Sequence, residues 1–343
     1  MKKLLLTFLK VGLSVAIVGY LIYDATHGKG HANVFANLRD EPKQWDWLFI
    51  AFAANTFATL LTFIRWWFLI RAQGIPCRFR DALRISFWGY LFNLAPLGIV
   101  GGDLVKAVML DHEHHGYRAP AIASVFVDRV IGLYWLFIVA STAILLTGFW
   151  QLPVPDLWRI SLAMWLVTLG STVGLAIVLG PEFLVGGAIR IMARIPRVGR
   201  PLESLLLAVR MYRGKPKVLV ISSLLTIGVH LSFASGCYCI ACGLPGNHLS
   251  LPQHFVVMPL SAAMQVIPIP IGPTEAALKY LYEHVPVAGP AIIEGQGLVV
   301  SLAYRLITLL IAALGIFYYF GNRREMAEVM HEAEAEQEAE QKA

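Results

Sequence analysis

Charged residues are scarce in this sequence. Asp, Glu, Lys and Arg make up only 15% of its 343 residues, whereas hydrophobic residues make up 57%. Several apolar runs reach the roughly 20 residues that a helix needs to cross a hydrocarbon layer of about 30 Å. The composition therefore excludes a soluble protein and predicts an all-α polytopic membrane protein. The length leaves no room for a large soluble domain beside the spans.

Cysteine is rare as well, and familiar catalytic motifs are missing. Cys77 stands alone, and the three cysteines of residues 237–242 fall in an apolar run, where they are best interpreted as small buried hydrophobic residues. Residues 111–115 resemble a zinc-protease motif, but Gly116 occupies the place of its second histidine. The sequence has neither a P-loop nor a Gly-x-Ser-x-Gly elbow. We therefore expect no cofactor, no metal site and no catalytic residues.

Basic residues outnumber acidic ones, giving a net charge of +6. The last residues, 322–343, are the exception because they are rich in Glu and low in complexity. In a membrane protein, an excess of Lys and Arg indicates cytoplasmic loops and contact with anionic lipid. We therefore expect lipid partners and no nucleic acid, and we interpret residues 322–343 as an acidic cytoplasmic tail.

Six apolar runs are long enough to cross the bilayer fully. They cover residues 4–23, 47–70, 121–148, 158–180, 218–242 and 298–320. Residues 103–120 are interpreted as a polar connection, and the basic residues 181–217 as an amphipathic element on the membrane surface. Arg65 lies one turn inside the end of the second run, from where its side chain is expected to snorkel to the surface.

Two further apolar segments, residues 85–100 and 255–273, are interrupted by Gly and Pro. Each overlaps a motif that begins with a side-chain amide and has a proline three residues later and a carboxylate ten residues later; the first motif runs from Asn93 to Asp103 and the second from Gln265 to Glu275. Proline removes a backbone donor and clashes with the preceding turn, so neither segment is a continuous helix. Paired interrupted segments of this kind indicate the central site of a transporter.

The distribution of Lys and Arg predicts the orientation of the chain. If both broken segments re-enter on the side from which they came, the basic loops and both termini are cytoplasmic. Three full spans then separate the two re-entrant hairpins, so the hairpins enter from opposite sides. We therefore predict one transmembrane domain, residues 1–321, that contains two inverted repeats, about 1–150 and 155–321.

Five ionisable residues lie at or inside the membrane boundary: Asp103, Asp128, Arg129, Glu275 and Arg305. An unpaired charge there costs on the order of 3 kcal/mol, so these groups should pair. In one interpretation the pairs are structural, such as Asp128 with Arg305 or Arg129 with Glu275. In the other, Arg129 and Arg305 face a central cavity and bind a lipid phosphate, which Arg matches bidentately.

Three further residues are assigned to the same candidate binding site. Gly101 and Gly102 allow backbone amides to approach an anion closely, and the start of a helix would add its positive dipole. Asn93 opens the first broken motif. We expect all three to contact the substrate together with the charged residues.

Several of these motifs resemble the lysylphosphatidylglycerol synthase transmembrane region family, also called flippase-like domain proteins. The resemblance rests on residues 93–103, on Ser-x3-Asp-Arg-x2-Gly-Leu at 124–133, on residues 270–275 and on Arg65-Trp66. It covers about residues 5–320. The second motif has prolines at positions where glycines are common in the family.

The resemblance implies lipid translocation in a bacterial-type inner membrane. In the best-known members, the membrane region moves lysyl-phosphatidylglycerol between leaflets, and a fused soluble domain makes that lipid by aminoacyl transfer. The short stretch after Phe320 leads us to expect translocation without aminoacyl transfer.

The leading hypothesis is thus a lipid translocase for a phospholipid or a polyprenyl-phosphate lipid. A second hypothesis is an intramembrane enzyme that modifies lipid phosphates, with Asp103 and Asp128 as the acid and base. A third is a non-transporting scaffold that recruits a cytoplasmic lipid synthase through the basic residues 181–217.

Overall fold

The computed structural model describes residues 2–27, 34–94, 101–114, 116–192, 199–267, 269, 271–287 and 290–321. Within those ranges the regular secondary structure is entirely helical. The helices are α1 (Lys2–His27), α2 (Val34–Asp40), α3 (Trp45–Ala72), α4 (Phe79–Leu94), α5 (Gly102–Glu113), α6 (Arg118–Thr147), α7 (Pro155–Leu179), α8 (Glu182–Met192), α9 (Gly199–Arg210), α10 (Pro216–Gly243), α11 (Leu251–Ala263), α12 (Pro273–His284) and α13 (Gln296–Gly321). The predicted acidic tail, residues 322–343, lies outside the described residues.

In this part of the chain, five helices are long and apolar enough to cross a membrane: α3, α6, α7, α10 and α13 as far as Gly315. They coincide with the second to sixth predicted spans, so the prediction of a helical integral membrane protein is confirmed. The first predicted span lies in α1, of which Gly12–Thr26 is a shorter apolar helix. A sixth crossing therefore stays a prediction.

Helix α7 shows which surface the protein turns to lipid. Its Leu166, Leu169 and Val173 are exposed. An exposed apolar strip along a helix of 25 residues suits a hydrocarbon environment and would be unfavourable in water. The helix begins with Pro155, which suits the first turn because that turn needs no backbone N–H donor from it.

The two broken segments correspond to two pairs of short helices, α4 with α5 and α11 with α12. These helices contain 16, 12, 13 and 12 residues. At 1.5 Å per residue, they are about 18 to 24 Å long, which is less than the bilayer core of about 30 Å. In the second pair the break follows Ala263, and Gly272 precedes α12 with φ = 123°. In the first pair, Gly101 before α5 has an extended backbone. Residues 95–100, Pro268 and Pro270 lie outside the described residues.

The interpretation of residues 103–120 as a polar connection was wrong. Most of that segment forms α5, where Val105, Val108 and Met109 are buried. These apolar side chains pack in one cluster with residues of α3, α4 and α6. Because charged residues stand at both ends, the segment looks polar in the sequence, although a short helix with an apolar face lies between them.

Helix packing is reciprocal between the two halves of the chain. The long helices α3 and α10 pack along one another. Helix α4 packs on α13, and correspondingly α11 packs on α6. In the same way α5 packs on α6, and α12 packs on α13. Each short-helix pair therefore contacts both its own following span and the last span of the other half.

The basic segment 181–217 contains helices α8 and α9, while residues 193–198 lie outside the described residues. Helix α9 packs on α6 and α7, and Tyr212 after it donates a hydrogen bond to the carbonyl oxygen of Leu69 at 3.1 Å. The segment is thus attached to the bundle, and its position on the membrane surface stays a prediction.

The interpretation of the cysteines as hydrophobic residues agrees with the structure. All four are free thiols; Cys77, Cys237 and Cys239 are buried and Cys242 is half-buried.

Candidate functional site

The first candidate pair joins Asp103, in the first turn of α5, to Arg129 on α6. Arg129 donates from Nε to Oδ2 at 2.6 Å and from Nη2 to Oδ1 at 2.8 Å. This bidentate geometry is the strongest form of an arginine–carboxylate contact. The pair is nevertheless open, because the side chains of Arg129 and Asp103 are 56% and 35% exposed.

The second candidate pair joins Glu275, in the first turn of α12, to Arg305 on α13. Arg305 donates from Nε and Nη2 to Oε1 at 3.0 and 2.7 Å. The other oxygen, Oε2, accepts the backbone N–H of Gly272 at 2.7 Å, so Glu275 also caps its own helix. This pair is covered: the side chain of Glu275 is 2% exposed and that of Arg305 is 23% exposed.

The two pairs share one design. In each, a carboxylate occupies the first turn of the second short helix, where the helix dipole favours a negative charge. The arginine comes from the span that follows and packs on that helix. The predicted pairings of Asp128 with Arg305 and of Arg129 with Glu275 were therefore wrong, because each acid meets the arginine of its own half.

Asp128 is paired with Arg65 of α3, which donates from Nε to Oδ1 at 2.7 Å. Arg65 also donates from Nη1 to the hydroxyl oxygen of Thr226 on α10 at 2.9 Å. Both charged side chains are buried. The expectation that Arg65 snorkels to the surface was wrong, because α6 and α10 supply its partners inside the bundle.

Asn93 and Gly102 hold the start of α5 against α4. The side-chain oxygen of Asn93 accepts the backbone N–H of Gly102 at 3.0 Å. A Cβ at Gly102 would lie 1.8 Å from the carbonyl oxygen of Gly89, so only glycine allows this approach of the two helices. The amide of Gly102 was predicted to bind an anion, but it is already satisfied by Asn93. Gly101 is open, with no atom within 4 Å of the Cβ position.

We expect Gly102→Ala to destabilise the protein by about 1–3 kcal/mol, because the added methyl group forces α5 away from α4. Gly101→Ala is the matched control, since its Cβ would meet empty space and its φ of −66° suits alanine. Thermal unfolding in detergent measures both variants. Equal midpoints for the two would contradict this account of the close contact.

Two lysines of the site were missed by sequence reasoning. Lys106 follows Asp103 on α5, and Lys279 follows Glu275 on α12. Both are buried. Their spacing of three and four residues after the acid places each on the same helix face as the acid, and this signal was present in the sequence.

The predicted central cavity with both arginines stays a prediction. Between residues that the structure describes, no ion pair or hydrogen bond joins the Asp103–Arg129 pair to the Glu275–Arg305 pair. A cavity of about 320 Å³ lies elsewhere, after the end of α12, where residues such as Tyr282, Val285 and Ile292 line it.

Comparison with known proteins adds one finding. The model of a family described as the lysylphosphatidylglycerol synthase TM region matches residues 7–315. The match therefore includes both acid–arginine pairs and both pairs of short helices. A search of curated proteins gives no match.

Proposed function

Because the chain belongs to the lysylphosphatidylglycerol synthase TM region family, as its motifs predicted, we propose that it moves a phosphate-bearing lipid between the two leaflets of a bilayer. The family connects the chain to lipid synthesis or translocation, and the helices make it an integral membrane protein. The observation that carries the proposal is the repeated acid–arginine pair at the start of a short helix, open in one half and covered in the other.

In this proposal the short-helix pairs are re-entrant hairpins. Each of their helices is too short to cross the bilayer alone, and α4 packs on α5 as α11 packs on α12. Three candidate spans, α6, α7 and α10, lie between the two pairs along the chain. An odd number of crossings places the hairpins on opposite sides, and the reciprocal packing supports the inverted repeat. Basic loops orient both termini toward the cytoplasm of an inner membrane.

The unequal exposure of the two arginines supports alternating access. A carrier needs one binding group open to one side while its counterpart is closed. Arg129 is the open group in this structure and Arg305 is the covered one. A lipid phosphate would first meet Arg129 and later Arg305, as one conformation gives way to the other.

Relative energies decide which acid–arginine pairs can exchange partners with a lipid. A partly exposed pair such as Asp103–Arg129 contributes about 0–1 kcal/mol, so a phosphate can replace the carboxylate at little cost. Opening a buried pair such as Arg65–Asp128 costs about 3–5 kcal/mol. Arg129 is therefore assigned to the substrate, and Arg65 to the stability of the bundle.

Reconstitution tests the proposal. Purified protein in liposomes is given fluorescent phosphatidylglycerol or a fluorescent polyprenyl phosphate, and a membrane-impermeant quencher measures the transfer between leaflets. We expect faster transfer than in protein-free liposomes for at least one of the two lipids. Transfer at the protein-free rate for both would refute translocation.

Mass spectrometry of the same lipids separates the alternatives. Unchanged lipid on the other leaflet supports a translocase, whereas an altered headgroup supports an enzyme that uses Asp103. If the lipid is neither transferred nor altered, and a lipid synthase is recovered bound to the protein, the results support the scaffold.

A further inference from the structure

Lys106 is a largely buried cation that has no partner among the residues that the structure describes. The residue is 8% exposed on α5. Its stem passes Gly89 of α4, and its Nζ lies over the ring of Trp66, 5.0 Å from the centroid. Within the described part of the chain, no carboxylate or hydrogen-bond acceptor contacts this ammonium group. The indole N–H of Trp66 beside it is buried without an acceptor in the described part of the chain.

The surrounding charges leave Lys106 uncompensated. Asp103, Asp128, Arg65 and Arg129 all interact electrostatically with it. Each of those acids is already bound by one of the arginines. The cluster thus consists of two neutral pairs and one additional positive charge.

The relative energies favour an anionic partner for the charged form of Lys106. A buried charge without a partner costs several kcal/mol. The contact of an ammonium group with an aromatic ring returns about 1–2 kcal/mol, which is less than that cost. A negatively charged ligand would supply the difference.

The other half of the protein contains a buried lysine whose charge is compensated by carboxylates. Lys279 occupies the matching helix face of α12, and its Nζ lies 2.8 Å from Asp24 and 3.0 Å from Glu283. Among the described residues, two carboxylates contact Lys279 and none contacts Lys106. Of these two lysine sites, the one without a compensating carboxylate lies in the half that also has the open arginine.

We infer that Lys106 and Arg129 together bind the phosphate of an anionic ligand beside the start of α5. Arg129 uses Nε and Nη2 on Asp103, and its Nη1 has no protein partner in the described ranges. One phosphate charge would neutralise the additional charge of the cluster. The inference rests on the proposed function when that phosphate belongs to a lipid, and it assigns the first contact of the headgroup to this half of the protein.

Native mass spectrometry of the full chain in detergent tests the inference. The protein is titrated with phosphatidylglycerol, with zwitterionic phosphatidylcholine and with a polyprenyl phosphate. We expect the wild type to prefer an anionic lipid over phosphatidylcholine by about tenfold. Lys106→Met, which keeps the apolar stem, should lose that preference, and Lys106→Arg should retain most of it. Inorganic phosphate should compete only if the site accepts a free phosphate.

Arg39→Met is the control, because it removes an exposed positive charge from α2, outside the basic segment 181–217. This variant should keep the wild-type preference. Thermal unfolding checks that each variant is folded, and Lys106→Gln replaces Lys106→Met if the latter does not fold. A folded Lys106 variant without the charge that keeps the full preference would overturn the inference.

Different results would refute the inference and the proposed function. If the lipid preference depends on Lys106 but the protein does not transfer lipid between leaflets in liposomes, the phosphate site is supported and the translocase is refuted. If Lys106→Met transfers lipid at the wild-type rate, the translocase is supported and Lys106 is not part of the binding site.

Discussion

Arg129→Ala is expected to lower the rate of lipid transfer in liposomes about a hundredfold. The guanidinium would contribute charge-assisted hydrogen bonds to the phosphate, and losing about 3 kcal/mol of binding at 1.4 kcal/mol per decade corresponds to that factor. The effect on folding should be small, because the Asp103–Arg129 pair is partly exposed. The measurement is the quenching rate of a fluorescent phospholipid, normalised to the amount of reconstituted protein.

Arg159→Ala provides the matched control for Arg129→Ala. Arg159 forms an exposed ion pair with Asp156 at the start of α7 and belongs to neither candidate pair, so its removal should leave the transfer rate unchanged. Arg129→Lys should retain part of the rate, since an ammonium group keeps the charge but loses the bidentate geometry. Equal rates for Arg129→Ala and the wild type would assign the Asp103–Arg129 pair to structure alone.

Asp128→Asn is expected to destabilise the protein by about 3–5 kcal/mol, the usual cost of removing one partner from a buried ion pair. The substitution removes the negative charge beside the buried guanidinium of Arg65, which then has only neutral acceptors in its place, the amide oxygen of the new side chain and the hydroxyl of Thr226. Because this contact joins α3, α6 and α10, loosening it should lower the cooperativity of unfolding as well as its midpoint. Thermal unfolding in detergent, followed by tryptophan fluorescence, measures both.

Two further variants test whether the unpaired charge of Arg65 causes the destabilisation by Asp128→Asn. Asp40→Asn removes one partner of an exposed ion pair with Arg39 and should change stability by less than about 1 kcal/mol. The double replacement of Arg65 by Met and Asp128 by Leu removes both charges and should recover most of the lost stability. If the double variant is as unstable as Asp128→Asn, the loss stems from packing and not from an unpaired charge.

Composition and Pro/Gly placement were enough to predict the helical membrane class, five of the spans and the two breaks. These features depend on local properties: the length of an apolar run, and the missing backbone donor of proline. The start of α5 illustrates the limit of such signals. Residues 103–120 look polar because charges stand at both ends, although Val105 and Val108 between them are buried.

The partners of the charged residues could not be predicted from the sequence, because they depend on which helices pack together. Arg65 and Asp128 are 63 residues apart, and nothing local connects them. The sequence motif placed Asp128 next to Arg129, yet successive residues of a helix point in different directions. One therefore reaches the core and the other the open pair, a distinction that required the packing of α3 and α5 on α6.

The carboxylates of the two acid–arginine pairs differ in length by one methylene group. Glu275 is long enough to bind Arg305 and also to accept the N–H of Gly272, so releasing that arginine would also disturb the first turn of α12. Asp103 is shorter, and Asn93 performs the second task for α5. The first pair of short helices can thus release its arginine while the start of α5 stays capped, whereas in the second pair the same carboxylate holds both the arginine and the start of α12. In the proposed transport cycle, opening the second pair should therefore cost more free energy than opening the first.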